Sequence, residues 1–481
     1  MRIAIISTFR HPSRLPVKEK TCMQSATPEL IAGLCPEDAE IEIYNEKETD
    51  IPLDRFWDIV FFSYLHSFYE HTKVLSTIFR GAGMTTVAGG RHASLFVEDC
   101  LKYFDSVVVG DPEGNVPRLI RDFERGCLGR IYDHPPVDPA DIKPYRYDLI
   151  DFRVNKYRAP TIEASRGCPF ACDFCVLVAN EQYRFRPVKA VVRDIITQMR
   201  WNPNFMGLFR RTLVFNDNNL GGSPNYLRDL CEALIPLKKT WGCAITLNVL
   251  QDESLIRLMA KAGCRYVYSG VESLNQDTVD GLNKPHNQLK KLKNIIEKTS
   301  CNGILLSTGL IIGADGDTNE YLERIPDLLS GLNFFGITFL GIVCPYPGTA
   351  LYRRLLREGR IIQGTTIRDF DGYTVCHKPT NMDPSELAEH FRKLTISLSS
   401  MPNLLRHWST ALLKSRLPRY KSVVLVSGLE MRKLRNNLIN ETRTYVAGRD
   451  PIEQWDLDQM QELGIPPQQI SPSGHLLRQR L

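Results

Sequence analysis

Three cysteines fall within eight residues, Cys168, Cys172 and Cys175, in the run Arg166-Gly-Cys-Pro-Phe-Ala-Cys-Asp-Phe-Cys175. Three thiolates are one fewer than a [4Fe–4S] cluster normally takes, so a fourth iron would be left to a non-protein ligand. A cluster with an open iron can react, whereas a closed one mainly transfers electrons. The Cys-x3-Cys-x2-Cys spacing suits a tight loop whose thiolates converge, and Gly167 and Pro169 supply the bend. The competing readings are three reduced thiols or part of a zinc site. Zinc takes four Cys or His ligands, usually in spaced pairs. The nearest histidines in sequence are His134 and His286, so a local fourth ligand is missing.

A chain of 481 residues is long for one core, and two or three domains are expected. The opening run Met1-Arg-Ile-Ala-Ile-Ile-Ser reads as a buried strand, being too short for a signal peptide. No apolar stretch reaches membrane-spanning length. The 13 cysteines are odd in number and mostly scattered, which argues against a disulfide framework and for the reducing cytoplasm. A net charge of +5 does not by itself imply nucleic acid, and no nucleic-acid partner is expected.

Residues 1–130 alternate short apolar runs with amphipathic ones. Strands are predicted over Ile3–Ser7, Ile41–Tyr44, Asp58–Tyr64, Thr85–Gly89 and Ser106–Gly110, with helices over Pro28–Leu34, Ser67–Arg80, Leu95–Tyr103 and Val116–Arg125. This pattern gives a buried parallel sheet. Gly89, Gly90 and Gly110 fall at strand C-termini, where open α/β sheets bind ligands. A Pro/Asp-rich linker covers 131–157. A second alternation over 158–350 has strands at Thr161–Ser165, Leu213–Asp217, Ala244–Asn248, Arg265–Val271, Leu305–Ile312 and Ile337–Val343. Its helices include Ala190–Arg200, Tyr226–Leu234, Glu253–Ala262, Leu289–Lys298 and Asn319–Leu329. Six βα units suit an open partial barrel, and the cysteine loop leaves its first strand at the face where barrels carry their chemistry. Residues 351–481 read as mainly helical.

Residues 158–350 resemble a radical S-adenosylmethionine (SAM) core. The cysteine loop matches that family's signature, including Phe174 before the last cysteine. Further matches are Phe215-Asn-Asp-Asn-Asn219, Gly270-Val-Glu-Ser-Leu-Asn275, Gly309-Leu-Ile-Ile-Gly-Ala-Asp-Gly-Asp-Thr318 and Cys344-Pro-Tyr-Pro-Gly-Thr349. The N-terminal region resembles the cobalamin-binding (B12) domain preceding this core in one large subgroup. It does so through Thr27-Pro-Glu-Leu-Ile-Ala-Gly-Leu34, Ala88-Gly-Gly-Arg-His-Ala-Ser94 and Val109-Gly-Asp-Pro-Glu-Gly114. Where many such domains carry Asp-x-His-x-x-Gly, this chain has Ser7-Thr-Phe-Arg-His-Pro-Ser13, so His11 reads as a loop histidine.

The resemblance implies a Rossmann-like B12-type domain, a partial (βα)6 TIM-like barrel and a mainly helical C-terminal region. It also implies a [4Fe–4S] cluster on Cys168, Cys172 and Cys175, with the amino and carboxylate groups of SAM on the fourth iron. One electron would then cleave SAM, giving a 5′-deoxyadenosyl radical that abstracts hydrogen from an unactivated carbon. For SAM contacts it points to Phe174, to Asn216 and Asp217 for the ammonium, to Glu272 for the ribose hydroxyls, and to Gly309, Ile311 and Gly313 for adenine. The bland readings are a strand-end turn for Asn216 and Asp217, a surface acid for Glu272, and strand packing for the glycine segment. For cobalamin it points to Gly89, Gly90, Arg91 and His92. Asp111 and Glu113 read as caps of the following helix rather than corrin contacts.

The function so implied is cobalamin-dependent methylation of an unactivated carbon in a small molecule, lipid or tetrapyrrole. The alternative is a radical SAM cyclase or C–C bond-forming enzyme without methyl transfer. A tRNA methylthiotransferase ranks lower, because Cys22, Cys35 and Cys100 do not form its second cluster motif. An electron donor such as flavodoxin or ferredoxin is implied as partner. The basic stretch 401–435 either packs its apolar stripe or rests on an anionic membrane.

Overall fold

The computed structural model describes residues 1–9, 26–149, 160–179, 182–201, 212–332, 334, 336–398, 400, 446 and 447. The first apolar run forms strand β1 (Arg2–Ser7). Ile3 and Ile5 enter one apolar cluster while Ala4 and Ile6 enter another. Successive side chains leave a strand on opposite faces, so both faces of this sheet are covered. The strands β2 (Glu40–Asn45), β3 (Ile59–Ser63), β4 (Thr85–Gly89), β5 (Ser106–Val108) and β6 (Ile131–Tyr132) join it in the order β2-β1-β3-β4-β5-β6, every pair parallel. Helices α1 (Thr27–Leu34), α2 (Tyr69–Gly81), α3 (Arg91–Leu95), α4 (Val97–Tyr103) and α5 (Pro112–Glu124) make the connections.

The second sheet starts at β7 (Thr161–Ile162). A short antiparallel hairpin, β8 (Ser165–Arg166) and β9 (Arg184–Phe185), follows. Then come β10 (Thr212–Phe215), β11 (Thr240–Ala244), β12 (Cys264–Glu272), β13 (Leu305–Ile312) and β14 (Thr338–Ile342). The order is β14-β13-β12-β11-β10-β7, again all parallel. Its helices are α6 (Val188–Trp201), α7 (Pro224–Leu234), α8 (Glu253–Lys261), α9 (Gln276–Gly281), α10 (Leu292–Cys301), α11 (Asn319–Gly331), α12 (Ala350–Arg357) and α13 (Pro384–Leu398). Val267, Leu306, Leu310, Leu340 and Ile342 supply its main core. Tyr268 and Phe339 alternate with these core residues, and their rings meet edge-on at 5.7 Å. The expected α/β class, a Rossmann-like sheet followed by six parallel strands with helical crossovers, is the architecture observed.

Several elements differ from the sequence expectation. β6 lies inside the stretch read as linker, so the first sheet reaches past residue 130. In place of the third expected helix of the first region, Leu95–Tyr103, there are two helices, α3 and α4, broken at Phe96. α5 begins at Pro112 rather than Val116, since proline is suited to a first helical turn. The strand expected at Ala244–Asn248 is β11, four residues earlier. Ile245 and Leu247 beyond it are still buried, so the apolar alternation outlasts the pairing that defines the strand. The stretch 401–435, His11 and Cys22 lie outside the described residues, and of the C-terminal region α12 and α13 are helical.

Candidate active site

The cysteine loop lies between β8 and β9. Gly167 opens it at φ +84°, where a Cβ would stand 2.9 Å from the Gln182 carbonyl, so the bend needs glycine. The loop is held from three sides. Asn283 Nδ2 donates to the Ala171 carbonyl at 2.8 Å, the Asp173 amide donates to Leu282, and the Leu351 amide donates to Asp173. The Phe170 ring stacks on His286 at 3.7 Å, so a histidine far away in sequence is a neighbour in space. Asn219 Nδ2 reaches Cys168 Sγ at 3.6 Å while its Oδ1 accepts from the Thr246 amide.

Burial pushes the Cys172 thiol up to about 11, against the pull of the Lys284 ammonium, with Cys175, Glu272 and Cys168 adding to the rise. Burial also raises Cys175, with Cys168 again among the causes. The three thiols thus share one electrostatic neighbourhood. Among the described residues no three Cys, His, Asp or Glu side chains are placed to hold a single metal ion. A cube asks for something else, since its thiolates bind different irons and need not share one point. Three thiols on one short loop therefore suit such a cluster better than zinc, which takes four ligands. Of the other cysteines, Cys35, Cys100, Cys231, Cys243, Cys264, Cys344 and Cys376 are buried. Cys344 packs with Cys376 and Phe370.

The strand ends give most of the expected SAM residues a partner within the fold. Asp217 is buried, and its carboxylate accepts from the Ala164 amide, the Ser165 amide and the Ser165 hydroxyl. It holds the chain entering the cysteine loop. Burial raises it to about 7. Its neighbour Asn216 is exposed. Glu272 ends β12 at φ +69° and is ion-paired with Lys284, whose ammonium also donates to the Gly270 carbonyl at 3.0 Å. A Cβ on Gly270 would fall on the Glu272 carboxylate, so that glycine makes room for the pair. Gly309 makes room for the Tyr268 hydroxyl, and Gly313, at φ +91°, for Leu387 of α13. Both glycines therefore have packing roles. Phe174 and Ile311 pack on one small cluster with Leu282, Ala314, Val343 and Leu351. Beside it is a cavity of about 140 Å³ lined by Leu282, Gly313, Ala314 and Val343. Lys284 and Asn219 were missed as single residues, although the motif ending at Asn219 marked its strand end.

A larger cavity, about 630 Å³, opens at the C-terminal edge of the first sheet. Gly89, Gly90 and Arg91 line one side, and Arg166, Val176, Arg184 and Asn216 line the other. Gly90 takes φ +98°, and Arg91 donates to the Val176 carbonyl at 3.3 Å, beside the last cysteine. His92 does not line the cavity. It is 1% exposed, its Nδ1 meets His66 Nδ1 at 2.8 Å, and its ring lies 4.0 Å from that of Tyr69. Burial lowers it to about 3, so it is a neutral core histidine. Asp111 occupies the N-cap position of α5 without capping it, because its carboxylate goes to Arg166 and Arg184.

Residues 162–329 match the family model of the Radical SAM superfamily. Over 415 residues the chain is 26% identical to the bacteriochlorophyllide d C-8(2)-methyltransferase of Chlorobaculum tepidum, covering 84% of this chain and 90% of that protein. It is 24% identical over 368 residues to the hopanoid C-2 methylase of Rhodopseudomonas palustris, covering 74% and 68%. The radical SAM methyltransferase TsrM of Kitasatospora setae, solved with cobalamin and a [4Fe–4S] cluster bound, superposes with a TM-score of 0.59 at 15% identity over 81% of each chain. That last likeness is one of fold. The signature loop, the parallel strands behind it and the matched family model make residues 162–329 a radical SAM domain, and the chain shares the fold of TsrM.

Proposed function

We propose that this chain is a cobalamin-dependent radical SAM methyltransferase that modifies an unactivated carbon of a small molecule, lipid or tetrapyrrole. The observation that carries the reading is the cavity of about 630 Å³ with Gly89 and Gly90 on one wall and Val176 and Asn216 on the other. A second cofactor lodged there would face the cysteine loop directly. When bound, the cluster, SAM and a corrinoid supply reductive C–S cleavage and carriage of a methyl group.

The chain's residues hold and shape these partners. Cys168, Cys172 and Cys175 would take three irons as thiolates, so loading must displace protons from Cys172 and Cys175, both raised by burial. The Lys284 ammonium favours that deprotonation. Glu272 would accept the ribose hydroxyls of SAM, and the cluster of Phe174 and Ile311 would cover adenine. Gly89 would leave space at the strand end, since a Cβ there meets nothing closer than 3.9 Å. The rings of Tyr268 and Phe339, the latter 38% exposed, present an aromatic surface suited to a flat or apolar substrate. Both named relatives act on molecules of that kind, a tetrapyrrole and a hopanoid.

The reading extends to a cytoplasmic enzyme reduced by a flavodoxin or ferredoxin. No described helix is long and apolar enough to cross a membrane. Anaerobic reconstitution with iron, sulfide and hydroxocobalamin tests the core of it. The expected product holds both cofactors and, with dithionite as electron donor, forms both S-adenosylhomocysteine and 5′-deoxyadenosine from SAM, and Cys172→Ala abolishes the deoxyadenosine. Deoxyadenosine alone, without cobalamin uptake, would move the assignment to the cyclising alternative. Zinc in place of iron would overturn both.

A further inference from the structure

The hairpin that frames the cysteine loop carries an electrostatic conflict. Arg166 of β8 and Arg184 of β9 are direct cross-strand partners. Like charges at opposed positions destabilise a two-stranded ribbon, and this ribbon has only two pairs of residues to hold it. The conflict is resolved from the other sheet. Asp111, just beyond β5, places one carboxylate oxygen 3.0 Å from Arg166 and the other 2.7 Å from Arg184. Glu113, in the first turn of α5, adds contacts to Arg166 at 3.0 and 3.2 Å. Glu163 holds the same guanidinium at 2.7 and 2.9 Å, and its other partner is the Tyr145 hydroxyl. Burial opposes ionisation of Asp111, and Arg166 and Arg184 overcome it, keeping the carboxyl below its ordinary range.

We infer that Asp111 is a positioning residue: by bridging Arg166 and Arg184 it clamps the cysteine-loop hairpin onto the edge of the first sheet and so fixes the cluster relative to the cavity beside it. An acid at a helix N-cap ordinarily bonds its own helix amides. This one gives both oxygens to a segment more than fifty residues away. Glu113 and Glu163 hold Arg166 but do not touch Arg184, so Asp111 alone of these acids ties the two strands together. Because Arg166 adjoins the Gly167-Cys168 turn, a shift of the hairpin moves the first cysteine.

The spacing of the two cofactors rests on the proposed corrinoid, whereas the clamp itself does not. The test therefore has two readouts, made on the full chain loaded anaerobically with iron and sulfide, with hydroxocobalamin as probe. Hydrogen exchange of the Arg186 amide, which donates across the hairpin to the Ala164 carbonyl at 2.8 Å, reports the hairpin. Pulsed electron paramagnetic resonance between the reduced cluster and cob(II)alamin reports the spacing. In Asp111→Asn this amide should exchange about tenfold faster or more, as expected for loss of a charged hydrogen-bond partner. Iron content should hold, and the cluster–cobalt distance distribution should broaden. Adding Arg184→Gln removes the like-charge pair and should recover part of the protection, which a general loss of stability would not allow. Arg184→Gln alone keeps Asp111 on Arg166, should loosen the hairpin less, and serves if Asp111→Asn fails to load iron. Unchanged exchange in iron-loaded Asp111→Asn, or a double variant looser than the single, would overturn the inference. A wild-type chain that takes up iron but no cobalamin would instead refute the proposed function, and the exchange comparison would still decide the clamp.

Discussion

Glu272 and Lys284 make opposite demands on stability and on binding, and their magnitudes can be worked separately. The two side chains are paired while their residues are 8% and 6% exposed. Removing one partner of such a pair leaves a buried charge and costs about 3–5 kcal/mol. Glu272→Gln should lose that amount, since the Lys284 ammonium would keep only the Gly270 carbonyl. Glu272 also sits in the left-handed region at φ +69°, which costs a non-glycine residue about 1–2 kcal/mol. Glu272→Gly should therefore lose about 1–2 kcal/mol less than Glu272→Gln. The double variant Glu272→Gly/Lys284→Met removes both charges and the backbone strain. It should come within about 1 kcal/mol of the wild type or exceed it. Its affinity for SAM should fall about tenfold or more, through the loss of a charged acceptor for the ribose hydroxyls. Denaturant unfolding of the cluster-free chain measures the first effect, and equilibrium dialysis of SAM against the loaded chain measures the second. Glu272→Gln unfolding at the wild-type denaturant concentration would refute the buried-pair argument. A double variant that binds SAM as tightly as wild type would refute the assigned role of the carboxylate.

Three further outcomes follow from the same geometry. Gly270→Ala puts a methyl group where the Glu272 carboxylate lies, so it should reproduce the SAM defect of the double variant with both charges still present, read by the same dialysis. Gly89→Ala adds a Cβ that meets nothing closer than 3.9 Å in the fold but takes cavity space, so the chain should load iron normally and bind less cobalamin in its absorption spectrum. Burial raises Asp217 from 3.8 to about 7, so the folded chain holds its proton more tightly than the unfolded chain does. That contribution, up to about 4 kcal/mol, is fully present below pH 4 and is lost as pH rises through 7. Asp217→Asn should flatten the stability profile across that window in denaturant titrations.

The sequence made the strand–helix alternation legible because central strands such as β1 are buried on both faces, as Ile3–Ile6 show. The cysteine spacing was legible because it is local. What escaped depends on partners brought from elsewhere. His92 follows a glycine pair at a strand end, where ligands are usual, yet Tyr69 and His66 draw its ring into the core. Asp111 looked like a helix cap because nothing in its own segment reveals two arginines arriving from the cysteine hairpin. The hairpin itself was invisible, since two strands of two residues carry no periodicity. Lys284 lies in a stretch without a regular element, and only the close of β12 brings it to Glu272.

Asp217, Glu272 and Asp317, at or beyond strand ends of the second sheet, differ in what they hold, and the difference bears on the recognition role proposed for Glu272. Asp217 accepts from the amides of Ala164 and Ser165, and Asp317 accepts from those of Gly313 and Ala314 at 2.8 and 3.2 Å. Backbone donors buried in a turn have no other outlet, so withdrawing either carboxylate would strand them. A ligand would have to repay that loss before gaining anything. Glu272 instead holds the end of a lysine side chain, and Lys284 has the Gly270 carbonyl as a second acceptor. Its stem can turn while the backbone stays in place. Glu272 can thus exchange a cation for two hydroxyls without unmaking the loop around it, and the released ammonium stays among the thiols whose ionisation it favours. On this reasoning SAM binding and cluster loading are coupled through Lys284. Lys284→Met should therefore weaken iron retention in chelator challenge even though it is not a ligand, and retention equal to wild type would show that the ammonium does not act on the thiols.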